Sequence, residues 1–118
     1  MITKSDALSK LCPNGGWIQD GDTTIWLDGY DSVSEEEIVQ KIAELEYQEE
    51  VNEYQRQRAR EYPSYANQFD QIFHDGIDAW KATILEVKRR YPKQVMEPEV
   101  LEERKRQALA DLEASRAE

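Results

Sequence analysis

The sequence has one cysteine and one histidine among its 118 residues. Cys12 has no partner for an internal disulfide, so the fold cannot depend on oxidation. His74 is the only histidine, so catalysis cannot use a pair of histidines or a metal site built from several histidines. The chain also contains no Walker loop, no G-x-G-x-x-G and no C-x-x-C. We therefore predict a protein that is not an enzyme and holds no cofactor or metal ion.

Long apolar runs are missing as well. No stretch approaches the 18 apolar residues that a membrane-spanning helix needs, and the first 12 residues lack the apolar core of a signal peptide. These absences predict a cytosolic protein that does not bind membranes. Hydrophobic residues make up only 39% of the chain and charged residues 34%. We therefore expect a thin core, with part of the helical surface facing solvent or another chain.

The charge balance is strongly acidic. There are 25 acidic and 15 basic residues, for a net charge of −10. Such a charge repels phosphate backbones, so we predict no binding to nucleic acid. Two basic clusters, one over residues 56–60 and one over Lys88–Arg90, each precede a Tyr-Pro pair. Cations at these places suit the carboxyl ends of helices and balance nearby glutamates.

Residues 1–33 are predicted to form a short helix and a β-hairpin. Thr3 or Ser5 can cap a helix over Asp6–Leu11, which Cys12-Pro13 ends. The hairpin follows as two short strands around Asp20-Gly21-Asp22. Since an isolated two-stranded hairpin is marginal in water, it must lie on a helix or join another sheet.

Four aspartates lie in the turns of this region: Asp20, Asp22, Asp28 and Asp31. Their spacing does not fit the D-x-[DN]-x-[DN]-G-x5-E calcium loop, and a strand divides them. Turn chemistry explains each of them singly. We therefore predict no metal ion here.

A long helical arm is predicted for residues 34–61. Ser34 and Glu37 form a capping box, and no Gly or Pro interrupts the segment that follows. The apolar stripe begins with Ile38, Ile42 and Leu45 and then shifts to Tyr47, Val51 and Tyr54. A shifting stripe argues against a regular coiled coil. It predicts a helix whose first half packs on the hairpin and whose second half projects.

An aromatic helical hairpin is predicted for residues 62–93. Ser64 can cap its first helix, and Gly76 can take the left-handed turn between the two helices. Helical spacing places one apolar face on each helix: Tyr65, Phe69, Ile72 and Phe73 on the first, and Ile77, Trp80, Ile84, Val87 and Tyr91 on the second. We expect these faces to meet as an aromatic inner face. Phe69, Ile72, Trp80 and Ile84 would then form the hairpin's own core.

Two helices cannot cover so many aromatic side chains by themselves. Aromatic residues are enriched at the centres of protein interfaces. Tyr62, Tyr65 and Tyr91, at the ends of the elements, are the best candidates for contacts with another chain. The complete predicted partner-binding set is Trp17, Trp26, Tyr62, Tyr65, Phe69, Phe73, Trp80 and Tyr91.

Residues 94–118 are predicted to form a linker and a charged helical tail. The linker ends at Pro98, and a weak apolar stripe with many ion pairs at i, i+3 and i, i+4 follows from Glu99. A helix of this kind is solvated or frayed when alone. Docking on a partner is the alternative.

The segment 60–93 resembles a known family. The residues that carry the resemblance are Tyr62-Pro63-Ser64, Asn67-Gln68-Phe69-Asp70, Phe73-His74, Gly76, Trp80-Lys81, Val87-Lys88 and Tyr91-Pro92-Lys93. This string is similar to part of the phage tail assembly chaperones, in particular those of tail fibres. Residues 1–45 match that family in layout only. Asn67 and Phe69 depart from it, because the family usually has Asp and Leu there.

The resemblance implies a phage protein that helps to assemble the tail. Its expected partner is a tail fibre or tail-tip protein, which it would bind and solubilise in the host cytoplasm. Whether it then stays attached in the virion tail remains open, as does assembly into a homo-oligomer. The alternative is a structural component of the mature tail fibre or baseplate. A third function, inhibition of a host nucleic-acid enzyme by acidic mimicry, would fit the charge alone.

Overall fold

The computed structural model describes residues 1–117, and seven elements follow one another along the chain. They are α1 (Lys4–Leu11), β1 (Trp17–Asp20), β2 (Thr23–Trp26), α2 (Glu35–Glu61), α3 (Tyr65–Asp75), α4 (Ile77–Arg90) and α5 (Pro98–Arg116). The predicted fold class is confirmed: α+β and mostly α, with a small N-terminal helix plus β-hairpin, one long helix, a helical hairpin and a charged C-terminal helix.

Contacts divide the chain into two compact units. Unit 1 comprises Met1–Glu49 and Met96–Glu118, and unit 2 comprises Glu50–Val95. The helix α2 contributes its first part to unit 1 and its last part to unit 2. Each unit therefore has to be understood from its own contacts.

Three helix starts follow the predicted capping chemistry. The hydroxyl of Thr3, Ser34 or Ser64 accepts a hydrogen bond from the backbone N–H three residues further on, each at 3.2 Å. At Thr3 the Asp6 carboxylate accepts in return from the Thr3 N–H, which completes a capping box. Because Thr3 is the cap, α1 begins at Lys4, two residues earlier than predicted.

The core of unit 1 is small and aliphatic. Ala7, Leu8 and Ile38 are its buried members. The side chains packed against them are Leu11, Trp17, Trp26, Val33 and Ile42. The hairpin therefore lies on α1 and α2, which satisfies the requirement that it bury one face.

The hairpin itself closes with a two-residue loop, Gly21-Asp22. Asp20 pairs with Thr23, and Trp17 pairs with Trp26, so the two tryptophans are cross-strand neighbours. Gly21 has a φ of +61°, whereas no non-glycine residue has a positive φ in the described chain. A positive φ at the first loop residue alone is the requirement of a type II′ turn, which puts Gly21 there.

The C-terminal helix is part of unit 1 and not a free tail. Tyr47 on α2 is buried, its hydroxyl accepts from the Glu97 N–H at 3.0 Å, and the Arg104 guanidinium lies 5.2 Å from its ring centroid. Near the other end of α5, Arg116 pairs with Glu36. These contacts hold both ends of α5 to α2.

Unit 2 joins the last part of α2 to α3 and α4. Val51, Tyr54 and Val87 are its buried side chains. Arg58 donates to the backbone carbonyls of Tyr91, at 2.8 Å, and Lys88, at 3.3 Å. Most side chains of α2 beyond Tyr54 are exposed, but Arg58 gives this part of the helix a specific bonding role.

Candidate protein-binding surface

An exposed row of aromatic side chains runs along α3. Tyr65, Phe69 and Phe73 are spaced four residues apart, so they follow one side of the helix. Their exposures are 81%, 69% and 83%. We call these three residues the α3 stripe. All three belong to the predicted partner-binding set, and the structure brings them together on one surface.

The predicted aromatic inner face of the helical hairpin is wrong. Phe69 was expected in its core, yet the residues of α3 that face α4 are Gln68, Gln71 and the half-buried Ile72. At 100° per residue, the α3 stripe lies about a quarter turn away from this contact side. Ile72, Trp80 and Ile84 are half-buried, which agrees with their predicted place in the hairpin.

Hydrogen bonding explains why glutamines take the inner position. Trp80 Nε1 donates to Gln68 Oε1 at 3.0 Å, and Gln71 Nε2 donates to Thr83 Oγ1 at 2.8 Å. Gln68 also donates from Nε2 to the Pro63 carbonyl at 2.8 Å. Partly buried polar groups on α4 need such partners, which a phenylalanine cannot supply. The two glutamines therefore displace the aromatic rings outward.

The other aromatic candidates of unit 2 lie elsewhere. Trp80 turns toward α3, and Tyr62 and Tyr91 are half-buried near the ends of α2 and α4. Tyr62 and Tyr65 also line a shallow groove of about 300 Å³ at the start of α3, together with Ala59, Pro63, Ser64 and Gln68. Tyr65 belongs to both the groove and the α3 stripe, so the two features adjoin.

The two tryptophans of the hairpin face inward. Trp17 and Trp26 are half-buried against the core of unit 1, so neither is an open binding residue. Ile18 follows Trp17 in the chain and Ile25 precedes Trp26. These two isoleucines pair with each other on the opposite face and are 51% and 47% exposed. The prediction missed this outer face. The alternation of facing residues along each strand was the signal that could have revealed it.

The two basic clusters converge at one end of unit 2. Arg58 reaches the last turn of α4, and Arg90 lies 3.5 Å from Glu61 of α2. Arg56 and Arg60 both pair with Glu53. Their roles are therefore helix termination and ion pairing, as expected from the sequence.

Three described groups near helix ends have shifted pKa values. Hydrogen bonds from the Thr3 backbone and hydroxyl lower the pKa of Asp6, and the hydrogen bond from Arg116 lowers the pKa of Glu36. The same contact raises the pKa of Arg116. All three shifts arise from a helix cap and an ion pair at the surface.

Neither a candidate metal site nor a membrane-spanning helix lies within the described residues. Within residues 1–117, no group of three or more His, Cys, Asp or Glu side chains is placed to hold a metal ion. None of the helices described has both the length and the apolar character that crossing a membrane requires.

Comparison with known proteins adds no relative. The scan against protein-family models, the search of curated proteins and the search of solved structures each found no match to this chain.

Proposed function

We propose that this protein is a phage tail assembly chaperone, which binds a tail fibre or tail-tip protein through the α3 stripe and keeps it soluble. The observation that carries the proposal is the exposure of Tyr65, Phe69 and Phe73 on one helix. The resemblance of residues 60–93 to the tail assembly chaperones supports the choice of partner. The chain acts by binding, in the host cytoplasm, and without a catalytic step.

The size of the α3 stripe fits reversible binding. A buried aromatic side chain covers about 150–250 Å², so three of them offer roughly 450 Å². Burial of that area contributes about 11 kcal/mol of favourable binding free energy. The loss of freedom on association opposes it by about 4–15 kcal/mol. The stripe can thus hold an apolar segment of a client and release it when the client assembles.

The charge of the protein supports the same function. An exposed aromatic stripe favours self-association, and a net charge of −10 opposes it. A complex with an apolar client segment would inherit this charge. The chaperone would therefore keep the client soluble as well as shield its apolar segment.

The first experiment is co-expression with candidate tail proteins, followed by affinity purification of this chain and mass spectrometry. We expect a stoichiometric tail fibre protein that is insoluble alone and soluble together with this chain. The double variant Phe69→Ser/Phe73→Ser should lose this partner, while the control Ala66→Ser, another exposed position on α3, should retain it. Recovery of no tail protein would reject the proposal.

A structural component of the mature tail fibre or baseplate is the second candidate. The exposed stripe would then be a permanent contact. A partner that is already soluble and trimeric alone, together with this chain in purified particles, would favour that function. A chaperone that stays bound would also be found in particles, so the solubility of the partner alone is the deciding measurement.

A further inference from the structure

We propose that the outer face of the β-hairpin docks a protein segment that combines aliphatic side chains with lysine or arginine. This hairpin face consists of Ile18, Ile25, Leu27 and Tyr30. It belongs to unit 1, whereas the α3 stripe belongs to unit 2. The inference rests on the hairpin alone and stands or falls separately from the proposed function.

The register of the strands builds the apolar surface. Ile18 and Ile25 are directly paired, so their side chains lie together on the face opposite the two tryptophans. The Leu27 N–H donates to the Gly16 carbonyl at 2.9 Å, which extends the pairing beyond β2. Leu27 therefore follows Ile25 on the same face, and it is 42% exposed.

Tyr30 enlarges this surface by lying against Gly16. A β-carbon at Gly16 would come within 2.3 Å of the Tyr30 Cγ, so the ring occupies the place of the missing side chain. Gly16 also has a φ of +96°, which favours glycine. Gly16 is buried while Tyr30 remains half-exposed. The ring thus covers the backbone and still offers apolar area.

The charges around the face specify the partner. Between Cys12 and Gln40 there are seven carboxylates and no Lys, Arg or His. Lys4 and Arg116 pair with Glu35 and Glu36, and the Lys4 ammonium also donates to the Asp22 carbonyl at 3.2 Å. In the part of the chain that the structure describes, no ion pair reaches the four exposed turn aspartates: Asp20, Asp22, Asp28 and Asp31. An apolar surface bordered by unpaired carboxylates complements an apolar segment that carries cations.

A second copy of the chain does not fit this surface. A symmetric interface would bring the exposed aspartates of two copies together, and like charges are unfavourable there. Four half-exposed side chains offer roughly 350 Å², which is within the range of functional patches but well below the ~800 Å² per partner of a stable dimer. Both considerations favour a short cationic segment.

Three labelled ten-residue peptides test the proposal by fluorescence anisotropy with the full chain. One alternates lysine with valine, one lysine with serine, and one glutamate with valine. We expect the Lys/Val peptide to bind about tenfold or more tightly than the Lys/Ser peptide, since about two buried aliphatic contacts are worth that factor. The Glu/Val peptide should not bind. Affinity for Lys/Val should fall when the salt concentration is raised from about 50 to about 300 mM, because the Debye length shortens from about 14 to about 6 Å.

The double variant Ile18→Thr/Ile25→Thr identifies the surface. Threonine keeps the preference for strand. In a Trp80→Phe background, tryptophan emission comes from Trp17 and Trp26 alone and reports whether the hairpin is still folded. The variant should bind Lys/Val no better than Lys/Ser, and Phe69→Ser/Phe73→Ser should bind Lys/Val as the wild type does. Equal binding of the two lysine peptides, unchanged affinity of the isoleucine variant, binding of Glu/Val, or a wild-type dimer that this variant abolishes would each overturn the proposal.

Discussion

The two units treat their aromatic residues in opposite ways. In unit 1, Trp17 and Trp26 rest on an aliphatic core, and the exposed side chains of the same hairpin are isoleucines. In unit 2, one tryptophan is fixed by a glutamine while Phe69 and Phe73 face outward. Unit 1 thus packs its tryptophans against its own core. Unit 2 fixes its tryptophan with a hydrogen bond and leaves the aromatic side chains of α3 exposed.

The two units also differ in net charge. Unit 1 carries 18 acidic and seven basic residues, whereas unit 2 carries seven acidic and eight basic residues. The net charges are therefore −11 and +1, which add to the −10 of the chain. The excess negative charge lies in the unit without the α3 stripe. Under the proposed function, unit 1 would supply solubility, and unit 2 would supply a binding surface with little net charge.

The largest expected effect contrasts Leu8 with Phe69. Leu8 is fully buried, so Leu8→Ala should lower the free energy of unfolding by about 2–5 kcal/mol. Phe69→Ala removes a larger side chain that is 69% exposed, and should cost less than about 1 kcal/mol. Urea denaturation followed by circular dichroism measures both. A greater loss for Phe69→Ala would mean that the stripe is part of a core.

Arg58 tests whether unit 2 depends on hydrogen bonds. Arg58→Gln removes the bonds to the Tyr91 and Lys88 carbonyls and the contact with the Tyr54 ring, 4.9 Å from the guanidinium. We expect a loss of about 1–2 kcal/mol in the free energy of unfolding. Arg56→Gln is the matched control, because it removes only a surface pair with Glu53 and should cost a few tenths, about 0.3 kcal/mol. Equal losses would contradict the assigned role.

The tryptophans sharpen the comparison further. Trp80→Phe removes the bond to Gln68, whereas the buried Trp17 Nε1 has no hydrogen-bond partner among the described residues. Trp17→Phe and Trp80→Phe remove similar ring area. Trp80→Phe should therefore be the more destabilising of the two by about 1 kcal/mol in chemical denaturation. The reverse order would show that packing, and not the hydrogen bond, holds Trp80.

The smallest expected effect is on the stability of the protein at low pH. The hydrogen bond from Arg116 lowers the pKa of Glu36 from its ordinary 4.5, so this contact stabilises unit 1 above pH 4.5. The contribution is lost as the pH falls through the lower folded pKa. Between pH 7 and pH 3, the melting temperature should fall less for Glu36→Gln than for the wild type. Glu49→Gln, an exposed change on the same helix, should behave as the wild type.

Local chemistry made most of the fold predictable. Ser34 and Ser64 mark helix starts, Gly76 marks the end of α3, and the Tyr47, Val51 and Tyr54 stripe predicted buried positions on α2. Each of these signals depends on residues that are close in sequence. The C-terminal helix was harder, because its contacts with α2 join residues far apart, such as Arg116 and Glu36.

The candidate surface was only half predictable. Helical spacing correctly placed Tyr65, Phe69 and Phe73 on one side of α3, but it could not say whether that side faced inward. The direction depends on which polar groups of α4 need partners, and Trp80 and Thr83 select the glutamines. An apolar stripe beside a polar one is therefore ambiguous until the hydrogen bonds between the helices are known.

The contact between Tyr30 and Gly16 constrains how this sequence can change over evolution. A lineage that acquired alanine at position 16 before residue 30 became smaller would place a β-carbon in steric overlap with the Tyr30 ring. If residue 30 shrank first, the steric conflict would vanish, and only the positive φ of Gly16 would still disfavour a side chain. The order of the two substitutions therefore matters, and the pair should vary together among descendants of this chain.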